Sequence, residues 1–277
     1  SMKKLAFSIA KSRTKFLLLL LVIEMIILSC ISPYFFNMNN LLQVTQFGAT
    51  LTLLSLGEAL VMISGRDGID ISIGSTMSLS GVIFGLAVMN GANIPIAAFI
   101  TLLGGVVFGA VNGVLVAVAK VPALIATLGT QYIYSSLALY LTGGIPISGF
   151  PDSFALLSLK STFGIPNQIL FVVIPVSVLI FILVYKMKFG RRVYLMGTNP
   201  EAAKYAGIRE MKVRAMVYVL AGVLASVSAI INNSWLMTAR ADAGSGTEMQ
   251  AITVAVLGGI GVAGGTGHLG GVLIGVV

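Results

Sequence analysis

Apolar residues come in runs close to twenty long, punctuated by short polar stretches. A run of that length crosses a bilayer core as one helix. The runs predict spanning helices near 16–32, 44–64, 71–89, 95–118, 123–142, 169–185, 215–236, 249–263 and 268–277. The last is cut short. The pattern therefore predicts an all-α polytopic membrane protein, one transmembrane domain over 1–277, with about nine of about ten spans present and a C-terminal span and tail missing. Between the fifth and sixth runs, 143–168 is dense in Gly and Pro and predicts no long helix. It is either a linker or a face for an external partner.

Charge fixes the expected orientation. Fifteen of the seventeen Lys and Arg residues fall on one side of the alternating spans, in 2–15, at Arg66, at Lys120 and in 186–214. Only Lys160 and Arg240 fall on the other. Basic loops stay in the cytoplasm, so the N-terminus and 186–214 are expected there. The same distribution accounts for the net charge of +8 without nucleic acid. Only 9% of residues are charged, against about 25% in soluble domains. The basic N-terminus and the apolar run after it share features with a signal peptide. The run's length, Glu24 within it and the apolar sequel favour a first span instead. A single cysteine, Cys30, excludes an intrachain disulfide, and a single histidine, His268, argues against a His-based metal site.

The segment 186–214 also predicts a short helix at Asn199-Pro200-Glu201-Ala202-Ala203-Lys204. Asn caps a helix, Pro suits its first position, and Glu suits the positive end of its dipole. This basic segment is either an orientation signal or a docking element for a cytoplasmic partner.

Polar residues inside apolar runs are the candidates for function. An ionised acid at bilayer depth costs about 3 kcal/mol or more unless it faces protein or water. Glu24 and Glu58 are such acids. Glu58 lines a solute path or is paired within the bundle. The junction from Arg66 to Ser75 follows the second run, and irregular backbone there suits a cavity lining. Asp70 caps the next helix or faces the path, and Ser72 and Ser75 continue its polar stripe. A second junction, 244–248, ends in Glu248. Gly81 lies eleven residues after Asp70 and Gly259 eleven after Glu248, a spacing that inverted repeats produce. Gly105, Gly109 and Gly113 recur every four residues, as do Gly267, Gly271 and Gly275. Such spacing lets helices approach closely, within the chain or between subunits.

Two G-x-G-x-x-G runs, 259–264 and 265–270, lack the following acid that a dinucleotide site needs. They are expected to form a tight turn, with His268 a hydrogen-bonded turn residue. The chain has no phosphate-binding G-x-x-x-x-G-K-[ST] motif and no catalytic set. A membrane enzyme is the least expected reading on these grounds, and no cofactor or metal is expected on this chain.

Four segments, in order, resemble the ribose-type permease subunits of bacterial ABC sugar importers, within the branched-chain amino acid and sugar permease superfamily. They are GIDISIGS, VPALIATLGT, FGRRVYLMGTNPEAAKYAGI and AGSGTEMQAITVAVLGGIGVAGGTGHLGGVLIG. The resemblance implies an inner-membrane permease of about ten spans that works as a dimer with a second copy or a paralogue. It implies a monosaccharide handed over by an external binding protein. It also implies two cytoplasmic ATPases, which hold the ATP and Mg. Helix 199–207 would be the coupling helix, with Asn199, Glu201, Ala202, Ala203 and Gly207 in it and Arg191 and Arg192 nearby. The stretches Asp70–Ser75 and Thr127–Gln131 would lie on the path, and 143–168 and 237–248 would meet the binding protein. The chain departs from the family at Ser64–Gly68, two residues longer, and at Glu24 and Glu58, where the family is apolar. A nucleoside or a branched-chain amino acid remains an alternative solute. From another class, so does an ion-coupled carrier with Glu58 or Asp70 as its proton site.

Overall fold

A computed structural model describes the backbone of residues 13–276 and the side chains from residue 18 onward. Most of the basic N-terminal segment, residues 1–12, lies outside the described residues. Twelve helices and one small hairpin follow in order. They are α1 (Arg13–Ile31), α2 (Met38–Ile63), α3 (Ile73–Met89), α4 (Ile94–Gly113), α5 (Ala123–Thr142) and α6 (Asp152–Leu159). The hairpin pairs β1 (Ser161–Thr162) with β2 (Ile165–Pro166). Then come α7 (Ile174–Tyr185), α8 (Lys188–Thr198), α9 (Pro200–Tyr205), α10 (Glu210–Leu236), α11 (Thr247–Leu257) and α12 (Leu269–Gly275). Wider π-helical turns extend α4 through Val114–Val118 and lead into α7 through Ile169–Val173.

Three described helices are long and apolar enough to cross a bilayer: α2, α4 with its extension, and α10. The run through α7 and α8 is a fourth if its 65° bend is allowed. Of the other predicted spans, α3 and α11 are apolar helices of 17 and 11 residues. The predicted span at 249–263 stops at Leu257, because Gly258, Gly259 and the turn to Gly267 break it. Eleven residues reach only about 16 Å, half a bilayer core.

Helix α10 is the centre. Its small residues face α4, α2 and α3. Gly105, Gly109 and Gly113 of α4 lie on its backbone. A methyl on Gly109 would stand 2.7 Å from the Val219 Cα, and one on Gly113 would stand 2.9 Å from the Ala215 Cα. The glycine spacing therefore serves packing inside the chain. Gly271 likewise meets the Gly258 backbone. The opposite faces of α4 and α5 expose Val107, Val111, Ile125 and Ile133.

Two of the segments grouped by charge meet at one end. Gly265 N–H donates to the Ile63 carbonyl at 2.8 Å, and Arg66 pairs with Glu210. At the other end Ile147 bridges to Ala239, and Gln46 donates to the Ser158 carbonyl at 2.8 Å.

Two stretches of non-helical backbone turn into this bundle. After α2, Gly65, Arg66 and Asp67 take left-handed conformations (φ 80°, 56° and 49°), and the chain folds back along the helix it has just left. Gly68 meets the Val61 carbonyl and Asp70 reaches Glu58, so α3 starts about 9 Å back from the end of α2. The second stretch follows α10. Ala239 lies against Gly85, and Gly244 N–H donates to Ser78 Oγ at 2.8 Å. The Gly244 carbonyl reaches Gly74. That run spans eleven residues of α3, about 16 Å, so α11 also begins deep in the bundle.

Candidate functional site

Where α3 begins, four helices bring polar side chains together. Glu58 of α2 is fully buried, and its carboxylate accepts the Asp70 N–H at 3.1 and 3.2 Å. Asp70 Oδ1 accepts from Ser72 N–H at 2.9 Å and from Ser72 Oγ at 2.6 Å. Ser72 Oγ accepts from Asn112 Nδ2 at 2.7 Å, and Asn112 Oδ1 accepts from Thr130 Oγ1 at 2.7 Å. The donors thus run one way, from Thr130 on α5 through Asn112 on α4 to the Asp70 carboxylate. Such a chain polarises itself and strengthens each link. Thr127 Oγ1 accepts the Ile71 N–H at 3.2 Å and donates to the Ala123 carbonyl at 2.8 Å. Ser75 Oγ donates to the Ser72 carbonyl at 2.8 Å.

The sequence reasoning placed Glu58, Asp70, Ser72, Ser75 and Thr127 here, and the structure brings them together. It corrects one detail. Asp70 is not the cap of α3, because Ser72 occupies that position and makes no side-chain cap bond. Asp70 instead bonds ahead to Ser72, since the turn sets it two residues before the helix. Gln131 is not in the cluster; it is half-buried on α5, with no side-chain hydrogen bond among the described residues. Glu248 is 7% exposed in the first turn of α11. Its carboxylate rests on Gly74, where any methyl would displace it. Thr130 fell within the stretch Thr127–Gln131, but Asn112 was missed. Asn112 had a signal, since an amide inside VVFGAVNGVL is expensive in a membrane without partners. Glu24 is exposed on α1 rather than held at a bundle interface.

No Lys or Arg side chain hydrogen-bonds to Glu58 or Asp70 among the described residues. The buried cation that packs near the junction, Arg214, donates instead to the Gly65 carbonyl at 2.7 Å and to Glu210 at 2.9 Å. Among the described residues no three acids, histidines or cysteines gather as a metal would require. The cluster offers hydroxyls, an amide and acceptor carboxylates, a set suited to hydrogen-bonding a hydroxylated solute. A cavity of about 550 Å³ lies elsewhere, in an apolar groove lined by Val173, Phe181, Tyr185 and Leu273.

At the basic end, α9 forms as its sequence predicts. Asn199 Oδ1 accepts the Ala202 N–H at 2.9 Å, and Pro200 takes the first helical position. Ala203 is buried and seats the helix on the bundle, with Ala202 half-buried beside it. Glu201, Lys204 and Tyr205 face outward, with Tyr205 91% exposed. Gly207 turns the chain back at φ 73°. Arg191 and Arg192 are exposed on α8. His268 is hydrogen-bonded as expected, but as the N-cap of α12 rather than a turn residue: its Nδ1 accepts the Gly270 N–H at 3.0 Å and its ring stacks on Tyr185.

Residues 40–277 match the family described as "Branched-chain amino acid transport system / permease component". The chain is 36% identical over 260 residues to the autoinducer 2 import system permease protein LsrD of Enterobacter sp. (strain 638), covering 91% of this chain and 78% of that one. It is 39% identical over 245 residues to the probable ABC transporter permease protein y4mJ of Sinorhizobium fredii, covering 88% and 72%. It is 35% identical over 267 residues to the autoinducer 2 import system permease protein LsrC of Salmonella typhi, covering 96% and 76%. No solved structure matches the chain. The chain belongs to this permease family: it is a multi-pass, all-α membrane subunit of an ABC importer, the non-catalytic transmembrane component, with no cofactor of its own.

Proposed function

We propose that this subunit passes a small, neutral, polyhydroxylated solute of the monosaccharide class into the cytoplasm. It does so as one of a pair of permeases, a second copy or a paralogue. An external binding protein supplies the solute and two cytoplasmic ATPases drive the cycle. The observation that carries this reading is the donor chain from Thr130 through Asn112 and Ser72 to Asp70, with Glu58 behind it and no cation attached. A buried cation is one common partner for an amino acid's carboxylate, and none bonds to this cluster. Two of the named relatives are permeases of autoinducer 2 import systems, so that compound belongs in the solute panel beside the sugars and a nucleoside. The ion-coupled alternative falls away once the family is an ABC importer.

In this reading about nine spans are present, in inverted repeats whose broken members are α3 and α11, and the basic end is cytoplasmic. Asp70, Ser72, Ser75 and Thr127 face the path when it opens, and Glu248, Glu58 and Gln131 lie along it. Helix α9, with Asn199, Glu201, Ala202, Ala203 and Gly207, couples to an ATPase, and Arg191 and Arg192 flank the contact. The stretches 143–168 and 237–248 receive the binding protein.

The test is uptake into liposomes by the complete importer. Radiolabelled D-ribose, D-xylose, D-galactose, autoinducer 2, adenosine and leucine are offered with and without internal ATP. ATP-dependent uptake of a sugar or sugar-like solute is expected. Uptake of leucine alone would move the subunit to the amino acid branch.

A further inference from the structure

Between the two broken helices lies a cleft that the path residues above do not include. It sits where α2, α3, α10 and α11 meet, at the end away from the basic segment, with Met77 in its wall. The Trp235 and Phe47 rings stand edge to face at 6.4 Å on one side. Asn232, Gln250, Thr50 and Thr247 supply the polar lining. No charged side chain lines it.

One lining residue offers its amide to the cleft. Asn232 is 8% exposed, and its side chain makes no hydrogen bond among the described residues. Its amide is not among the fully buried unpaired side-chain atoms, so it keeps access to the cleft and is open to a partner from there. Its neighbour shows the contrast: Asn233 donates to the Gly81 carbonyl at 2.9 Å. Asn232 instead borders the cleft, beside the first turn of α11.

We infer that this cleft is a solute-recognition subsite for one edge of a neutral sugar ring, met before the solute reaches Asp70. The inference rests on the sugar-class reading above and deepens it. Aromatic faces take the C–H surface of a sugar ring, while amides and hydroxyls pair its hydroxyl groups. A charged solute finds no counter-charge here. The cleft encloses about 50 Å³, so it grips a hydroxyl-bearing edge and leaves the rest of the ring on the open side. It also leads inward. Met77 lies one turn along α3 from Gly74, which carries the Glu248 carboxylate and lies two residues from Ser72.

The experiment measures uptake kinetics of D-ribose, D-xylose and D-galactose by the complete importer in liposomes. Asn232→Ala and Trp235→Ala are expected to raise KM about tenfold, with maximal rate and basal ATPase activity close to wild type. Trp235→Phe keeps an aromatic face and is expected to recover most of the affinity. Gln250 is exposed, so Gln250→Ala assembles whatever becomes of Asn232→Ala, and it is expected to raise KM several-fold. Trp235 is the one tryptophan of the 277 residues. In nanodiscs its fluorescence is expected to shift saturably with the transported sugar. Wild-type sugar uptake with unchanged KM in all these variants would overturn the subsite and leave the sugar reading standing. ATP-driven uptake of leucine and of no sugar would overturn both.

Discussion

Both carboxylate oxygens of Glu58 accept one N–H, that of Asp70, twelve residues along the chain. This bond pins the folded-back segment after α2 and so sets where α3 begins. Glu58→Gln keeps an acceptor there and is expected to fold and assemble. Glu58→Ala leaves the Asp70 amide unpaired in a buried site, at a cost of about 1–3 kcal/mol. Thermal unfolding in detergent distinguishes the two. Equal melting temperatures would show that the bond does not hold the junction.

Asn112 is the middle link of the donor chain, and Asn112→Leu removes a donor and an acceptor together. Ser72 and Thr130 would each lose a partner. A stability loss of about 1–3 kcal/mol is expected, with uptake falling further than the amount of assembled complex. Uptake in proportion to assembled protein would make Asn112 purely structural.

A glycine junction links α9 to this site. Gly65, Gly197, Gly264 and Gly265 touch backbone to backbone, directly before Asn199 and directly after α2. A methyl on Gly197 would stand 2.5 Å from the Gly265 nitrogen. Gly197→Ala is therefore expected to retain ATPase binding while lowering solute moved per ATP hydrolysed severalfold. An unchanged transport-to-hydrolysis ratio would exclude the junction from force transmission.

Tyr205 is nearly free of its own fold. Tyr205→Ala is expected to leave thermal stability unchanged and weaken ATPase association about tenfold, read by co-purification and titration. Glu201→Lys should act in the same direction. Normal ATP-driven uptake by the Lys variant would refute a coupling role for α9.

The ion pairs predict opposite outcomes. Arg214 is 1% exposed and holds the Gly65 carbonyl and Glu210. Arg214→Met leaves that carbonyl without its donor and is expected to lower stability by about 1–3 kcal/mol. Arg240 and Asp242 pair in the open. The Arg240 hydrogen bonds hold the Asp242 carboxyl below its usual range. Its contribution is therefore present above the unfolded carboxylate pKa of about 3.9 and lost as pH falls through the depressed value. At pH 7 the pair is formed, yet exposure makes it worth little. Asp242→Asn is expected to leave the melting temperature unchanged, and a clear drop would contradict that ranking.

Most of the helices were legible, because bilayer length and apolar runs leave few choices. The Asn199 cap, the α9 start and the two glycine repeats were legible for local reasons, namely capping chemistry and close approach. Asp70 and Ser72 were found because polar residues at depth need a reason, and Thr127 through the family resemblance. Their partner Asn112 was not, since the contact depends on α4 crossing beside α3 forty residues away in sequence. The end of α11 at Leu257 was also hidden. Its residues stay apolar beyond the break, and only the packing of Gly258 on Gly271 shows why the helix stops.

The central claim is that the junction at Asp70 handles solute rather than merely capping a turn. The direct measurement is ATP-driven uptake by the complete importer carrying Asp70→Asn, alongside its assembly and ATPase binding. The account predicts near-normal assembly with uptake reduced at least about tenfold, the effect of losing one charge-assisted hydrogen bond. Unchanged uptake at normal assembly would contradict it and reduce Asp70 to a turn residue.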